Sequence, residues 1–366
     1  AYLLRQFPVL SQTFIVNEIT ELLDQGHEVF VFSVTRPKSN VWQPQVEEYD
    51  LITRTHYFPV FGNITHGLPE SGSYPDLLRD ALEATRLGAR ILEEVADITT
   101  ANYFAKLAEK LNIEVIHSHF YGSASTLTAL TARRAALPFT FTCHALDIFV
   151  DPDPEVMRRH SDAAARVVTV SHYNKEYLQG LTGVADDKIT IVRACSDIRR
   201  FIDVERRDRG DRIVSLGRLV EKKGLKYAIE AFAGLARDFP TVRYRILGDG
   251  PLYDGLHELA TDHGVADRID FTGAISQDEV KSALEEATLM VLPCVRAASG
   301  DLDGAPLALQ EAMVAGVPVV ATTVASIPEL ITTPAEGALV APHDSEALEA
   351  QIRRLLSDEP TRRAMS

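Results

Sequence analysis

The sequence predicts an α/β protein built from two doubly wound parallel-sheet domains, and three observations carry that expectation. Short apolar runs alternate with helical periodicities along most of the 366 residues, the pattern of successive β-α-β units. The pattern restarts at RIVSLGRL (212–219), where a strand opens a second series just as AYLLR (1–5) opens the first. The length suits two domains, each large enough for its own core. The boundary falls near residue 198, giving domains 1–197 and 198–366.

Composition narrows the function. An apolar content of 46% and a charged content of 24% are those of a soluble globular chain. The net charge of −15 is divided almost evenly between the halves, so neither offers in bulk the basic face that nucleic acid requires. Cys143, Cys195 and Cys294 lie far apart without metal-type spacing. Such a sparse, odd count fits a reducing compartment and small core residues. No apolar run approaches the roughly 20 residues of a transmembrane helix. No signal peptide is expected, and a few residues should precede Ala1, which lies inside a strand.

In the first domain, AYLLR reads as a buried strand, PVLSQTF (8–14) as a loop and Ile15 to Gln25 as a helix, with Ile15, Ile19, Leu22 and Leu23 on one face. Gly26 stops the helix and HEVFVFSV (27–34) is the next strand. Ser11, Gln12 and Thr13 sit where the first strand's carboxyl end meets this helix, the usual ligand edge of an open α/β sheet. Ser11 and Thr13 serve equally well as helix caps with no ligand. Residues 35–75 read as loop, and helical periodicity returns from Pro75 to about Leu111. VIHSHF (115–120) is a strand, an Ala- and Thr-rich helix follows to Ala136, and FTFTCHALDIF (139–149) begins as another strand. His117, His119 and His144 therefore gather near strand ends; each alone is as well read as a core or surface residue. VVTVSHYNKEYL (167–178) is a strand and then a helix capped by Ser171, and KITIVRACSDIRRF (188–201) leads out of the domain.

The second domain should hold strands at 212–217, 242–250, 268–273 and 288–293, with helices at 224–238, 252–264 and 277–286 between them. In GRLVEKKGL (217–225) a strand ends at Gly217, placing Arg218 and Lys223 in the loop beyond it, with Lys222 solvent-exposed. Two cations there can neutralise a diphosphate without a metal. Gly248-Asp249-Gly250-Pro251 is a tight turn that admits a ligand close to the backbone, or simply a turn.

The most informative stretch is SGDLDGAPLALQEAMVAGVPVVATT (299–323). Its polar loop runs into Pro306, suited to the first helical position, and then into a helix from Leu307 to Ala315 that is apolar on nearly every face. Gly316 and Pro318 end it before a strand over 317–322. Glu311 is the exception on that helix. A carboxylate among apolar neighbours needs donors, and the helix start supplies free N–H groups and a positive dipole end. The stretch therefore reads either as a nucleoside-diphosphate site with ribose on Glu311, or as a buried helix whose Glu311 pairs with a structural Arg. A last helix runs from Ser345 to about Leu356. HExxH, CxxC, GxSxG and GxGxxG are all absent.

GRLVEKKGL, LGDGPL, FTGAIS and above all DGAPLALQEAMVAGVPVVAT resemble the second domain of retaining, nucleotide-sugar-dependent glycosyltransferases of family four. FPVLSQTFIVNEI, HSHF and FTCHALDIF are similar to the colanic-acid, exopolysaccharide-building branch. The resemblance implies the GT-B fold, two Rossmann-like domains facing across a cleft. It puts Arg218 and Lys223 on the diphosphate, Glu311 on the ribose, Asp303 on the donor sugar's hydroxyls, the backbone of Gly304, Ala305, Pro306 and Leu307 on sugar and diphosphate, Ile275 at the base with Gly248 nearby, and His144 near the reacting carbon and the acceptor. Ser11, Gln12, Thr13 and His119 would line the acceptor side.

The implied enzyme is cytoplasmic and needs neither metal nor cofactor. It moves sugar from a nucleoside diphosphate, UDP before GDP, to a saccharide or lipid-linked acceptor, with peripheral contact at the inner membrane face. A nucleotide-sugar epimerase of the same fold and a two-lobed sugar-binding protein are the alternatives. Three departures from the pattern stand out: Asp303 where Glu is usual, Cys195 where Gly is common before Asp197, and an end at Ser366 ahead of the expected crossover helix.

Overall fold

A computed structural model of the chain describes residues 1–10, 12–37, 42–59, 86–194, 196, 198–207 and 211–365. They form two compact units. One comprises Ala1–Cys143, Pro152–Thr169 and Leu178–Thr190; the other comprises His144–Asp151, Val170–Tyr177 and Ile191–Ser366. The segments that follow the fifth and sixth strands thus pack with the second unit.

The first unit is built on β1 (Tyr2–Gln6), β2 (Val31–Thr35), β3 (Thr55–Tyr57), β4 (Ile116–His119), β5 (Phe139–Cys143), β6 (Arg166–Thr169) and β7 (Ile189–Ile191). The sheet order is β3-β2-β1-β4-β5-β6-β7, and β1 pairs in parallel with both β2 and β4. Its helices are α1 (Thr13–Asp24), α2 (Arg86–Lys110), α3 (Ser123–Ala135) and α4 (Pro154–Ala163), while α5 (His172–Thr182) is divided, its residues to Tyr177 belonging to the second unit. α1 buries Ile15, Val16 and Ile19 against Tyr2, Leu4, Val29 and Val31, the apolar face that its helical spacing predicts. Asp153 caps α4 by accepting from the N–H groups of Glu155 and Val156, and Ser171 caps α5 through Asn174 N–H.

The second unit is built on β8 (Arg212–Leu216), β9 (Arg243–Leu247), β10 (Ile269–Phe271), β11 (Leu289–Leu292), β12 (Val319–Thr322) and β13 (Ala338–Val340), in the order β10-β9-β8-β11-β12-β13. Helices α6 (Leu225–Ala236), α7 (Tyr253–Asp262), α8 (Gln277–Glu286), α9 (Leu307–Val314), α10 (Ser345–Ser357) and α11 (Glu359–Ala364) flank it. Ile213, Ile229, Phe232, Tyr244, Val291 and Val320 lie in one buried cluster. The Tyr244 hydroxyl within it is satisfied by Ser215 Oγ at 2.7 Å.

Strand order reverses between β1 and β4 in the first sheet and between β8 and β11 in the second. Carboxyl ends of strands at such a reversal are the ligand edge of a doubly wound sheet, because the flanking helices leave in opposite directions and open a crevice. Among the described residues no helix is long and apolar enough to cross a membrane.

Several local expectations need correction. α1 begins at Thr13, two residues early, and its cap position is Gln12, so Thr13 is no cap; no side chain caps this helix, and Ser11 lies outside the described residues. Pro306 is the cap residue of α9, with ψ of 101°, one position ahead of the expected first helical site. Ring-fixed φ suits both positions, and the extended ψ that precedes a helix is equally open to proline. Residues 75–85 of the expected long helix, and Cys195 and Asp197 of the linker, also lie outside the described residues. Ile327–Leu330, β13 and α11 had no sequence expectation at all. Each is six residues or shorter, below the length at which periodicity is informative.

Candidate functional site

The site grows from the reversal between β8 and β11. Beyond β8 the chain turns at Gly217, passes the exposed Arg218 and reaches a short helical turn carrying Lys222 and Lys223. Beyond β11 a long loop carries Asp301 and Asp303 into α9. The two segments are joined by paired charges: Lys222 Nζ lies 3.0 Å from Asp301 Oδ2, and Lys223 Nζ lies 2.5 Å from Asp303 Oδ2. Lys222 is therefore not the solvent-exposed residue expected, since its ammonium also donates to Leu302 O at 3.3 Å. The backbone ties the same segments together, with Val295 N–H donating to Lys222 O at 2.9 Å.

Both members of the inner pair are charged. Burial acts to raise the Asp303 carboxyl, but Lys223 and Lys222 outweigh it and hold it below the usual carboxylate range. Burial likewise acts to lower the Lys223 ammonium, and Asp303 outweighs it, with Cys294 and Glu311 adding to the effect. A lysine in such a setting is a fixed point charge at the edge of the sheet.

α9 brings Glu311 to the same place. Glu311 is 6% exposed, and its Oε1 accepts from Ser196 Oγ at 2.6 Å. Burial raises its carboxyl above the ordinary value, with Ser196 and Lys223 pulling the other way. The hydroxyl of Ser196, rather than a structural Arg, is thus its hydrogen-bond donor. Gln310, one residue earlier, donates to Ala194 O at 3.0 Å, so α9 is pinned to the segment that enters this unit. No side chain caps the start of α9, and the first N–H groups of any helix have no partner within it.

His144 belongs to this unit as well. Its carbonyl accepts from Asn174 Nδ2 at 2.6 Å, and its N–H donates to the carboxylate of Asp147. Gly304 packs against that carbonyl so closely that a Cβ would stand 2.4 Å from the oxygen, while the carbonyl of Gly304 accepts from Ser326 Oγ at 2.5 Å. The structure therefore brings His144 and the loop of Asp303 and Gly304 together. Burial pushes the His144 imidazole down to about 4, so the ring is neutral near pH 7.

Gly248 sits at the end of β9 with φ of +141°, where a Cβ would come within 2.1 Å of Gly217 O. It bridges Gly273, two residues before the half-buried Ile275. The expected residues Lys223, Gly248, Asp303, Gly304, Ala305 and Pro306 thus lie in the segments beyond the carboxyl ends of β8, β9 and β11 of one sheet, and Leu307 and Glu311 lie on α9, which follows. Gln12, Thr13 and His119 lie in the first unit, where His119 is 1% exposed and stacked on Tyr2. Sequence reasoning passed over Ser196, Asn174 and the Lys222–Asp301 pair. Only the SHYNKEY segment gave any signal, since a second polar residue after the cap Ser171 points inward in α5, with Asn174 fully buried.

Two family models match the chain: "Glycosyltransferase Family 4" over residues 11–200 and "Glycosyl transferases group 1" over residues 198–366. The chain is 30% identical to the putative colanic acid biosynthesis glycosyltransferase WcaL of Salmonella typhimurium, over 96% of this chain and 89% of that protein. It is 29% identical to the amylovoran biosynthesis glycosyltransferase AmsK of Erwinia amylovora, over 97% and 89%. Among solved structures, Anabaena Alr3699/HepE in complex with UDP superposes with a TM-score of 0.72 at 15% identity, covering 100% of this chain and 92% of that one. A glycosyltransferase from Rickettsia africae superposes with a TM-score of 0.70 at 16% identity, covering 100% and 91%. These superpositions concern the fold, which is the GT-B arrangement of two Rossmann-like domains.

Proposed function

This chain belongs to glycosyltransferase family 4, and from that premise we propose that it transfers a sugar from UDP to a saccharide or lipid-linked saccharide in exopolysaccharide synthesis, with retention of configuration and without a metal in the reaction. The observation that carries the reading is the charged Lys223 paired with Asp303 in the loop that leads into α9, with Glu311 one turn into that helix. A cation and unpaired N–H groups suit a diphosphate, and a carboxylate behind them suits the two ribose hydroxyls. The names of WcaL and AmsK support the polymer class, and the UDP held by HepE supports the base.

On this reading the incoming diphosphate takes over Lys223 from Asp303, leaving the Asp303 carboxylate to accept from the donor sugar's hydroxyls. Arg218, exposed at the mouth of the same loop, meets the outer phosphate. As the glycosidic bond breaks, charge grows on the leaving phosphate, and Lys223, Arg218 and the helix start stabilise it. The acceptor hydroxyl oxygen bonds to the anomeric carbon on the face from which the phosphate leaves, and that phosphate takes the hydroxyl proton, so retention requires no side-chain nucleophile. The neutral His144, held by Asn174 and Asp147 through its backbone, offers a ring nitrogen to the acceptor or the sugar.

The test is a panel of UDP- and GDP-sugars scored by thermal stabilisation, followed by product analysis with saccharide acceptors. A donor that binds should raise the melting temperature, and transfer should yield free UDP and a glycoside of unchanged anomeric configuration. Stabilisation by GDP-sugars alone overturns the base, and an inverted product overturns the mechanism.

A further inference from the structure

A second cluster of chemistry-bearing side chains lies wholly within the first unit, apart from the residues of the proposed donor site. In β4 the side chains of His117 and His119 share one face, since successive strand residues alternate. β1 runs alongside with Tyr2 in register with His117, and the Tyr2 ring stacks on His119 with centroids 5.8 Å apart. α1 lies over this face and lowers Glu18 onto the two imidazoles. Glu18 Oε2 is 3.5 Å from His119 Nε2, and Glu18 Oε1 is 3.9 Å from His117 Nε2. One ligand atom from each of the three residues lies within 4.8 Å of the other two.

We propose that Glu18, His117 and His119 form a binding site for a divalent transition metal of the Zn²⁺ class. Two imidazoles and a carboxylate are a donor set that suits zinc and leaves a fourth position open. Zinc–ligand bonds of about 2.0–2.2 Å put tetrahedral ligands about 3.4 Å apart. The His119–Glu18 separation of 3.5 Å is already close to that value, and the other separations, none above 4.8 Å, close by small turns of the Glu18 and histidine side chains.

The surroundings are those of an oriented site. His117 Nδ1 is 2.6 Å from Thr140 Oγ1, which fixes the ring and leaves Nε2 toward Glu18; Tyr2 donates to Glu18 Oε1 at 2.6 Å. Thr142 Oγ1 stands 3.1 Å from His117 Nε2, and ligation there replaces that hydrogen bond. His119 is buried while the Glu18 side chain is 40% exposed, so an ion can enter from the α1 side. The metal staples α1 to β1 and β4, and α1 is the helix that begins at Gln12 and Thr13. Its role is to hold that helix in place.

The experiment titrates chelator-treated full-length protein with Zn²⁺ alone, by calorimetry and thermal unfolding, and repeats the titration with Co²⁺ to read its visible absorption. One ion should bind per chain with a raised melting temperature, and Co²⁺ should show the bands of a four-coordinate, imidazole-ligated ion. Glu18→Gln and His117→Gln should each weaken binding at least tenfold, and His263→Gln, at an exposed site on the other unit, should not. The His119 ring is buried, so His119→Gln perturbs folding as well as binding, and the two more exposed positions carry the test. Zinc binding that survives both Glu18→Gln and His117→Gln, or the absence of binding at micromolar zinc in folded protein, overturns the proposal.

Discussion

Lys223 Nζ and Asp303 Oδ2 lie 2.5 Å apart at the reversal point of the second sheet, each side chain 13% exposed. The pair links the loops after β8 and β11. On the proposed reading, a diphosphate would displace the aspartate from Lys223 and free a carboxylate for the donor sugar. The pair would then couple donor binding to the readiness of Asp303.

Removing one partner of such a pair leaves a buried charge alone. Lys223→Ala should lower stability by about 3–5 kcal/mol and turnover by roughly a hundredfold or more. Lys223→Met combined with Asp303→Leu should recover most of the stability and none of the turnover, as read by urea unfolding beside steady-state rates. Near wild-type turnover in either folded variant removes the diphosphate role.

Glu311 would accept from ribose hydroxyls most strongly when ionised, and its burial raises the pH at which ionisation occurs above the ordinary 4.5. UDP affinity should therefore be full above the raised value and fall as pH drops through it. Ser196→Ala removes the donor at 2.6 Å and should move that fall to higher pH. Glu311→Gln should weaken UDP and remove this component of the pH profile, while Glu311→Ala should cut turnover roughly a hundredfold. Calorimetry across about pH 5 to 8 reads all three.

The His144 ring titrates at about 4 in the folded chain against 6.5 ordinarily. The unfolded chain therefore takes up the proton first. Stability from this residue is complete above pH 6.5 and is lost as pH falls toward 4, by an amount on the order of 3 kcal/mol. His144→Gln should flatten that part of the stability–pH curve. An unchanged slope in the variant would show that the loss arises elsewhere.

Gly304 and Gly248 are fixed by close approach. Gly304→Ala drives a methyl into the carbonyl of His144, and Gly248→Ala drives one into Gly217 O from a backbone at φ +141°. Each should cost roughly 1–3 kcal/mol and weaken UDP binding, because the loops that carry Lys223 and Asp303 must shift. Gly255→Ala in α7 meets nothing within 4 Å and should stabilise by about 1 kcal/mol instead. Equal melting temperatures across the three variants would contradict the packing described.

The long elements were legible because burial imposes a period. α8 spans Gln277–Glu286 as expected, and β5, β8 and β11 lie inside the expected apolar runs. The strand Val319–Thr322 follows Gly316 and Pro318, whose chemistry forbids the helix to continue. β13 and the turn at Ile327–Leu330 were not legible, since neither lies in an apolar run long enough to set it apart.

The sequence by itself determined the α/β class, the restart at residue 212 and the chemical character of Arg218, Lys223, Asp303 and Glu311, because periodicity and isolated charge in apolar surroundings are local properties of a chain. Only the tertiary structure decided which groups meet. That Lys223 is held by Asp303, that Glu311 takes its hydrogen bond from Ser196, and that Glu18 reaches His117 and His119 all depend on strand order and helix placement. Those partners stand between about 80 and 115 residues apart along the chain, and the energy of bringing them together comes from burying two sheets, not from any feature of the segments that carry them.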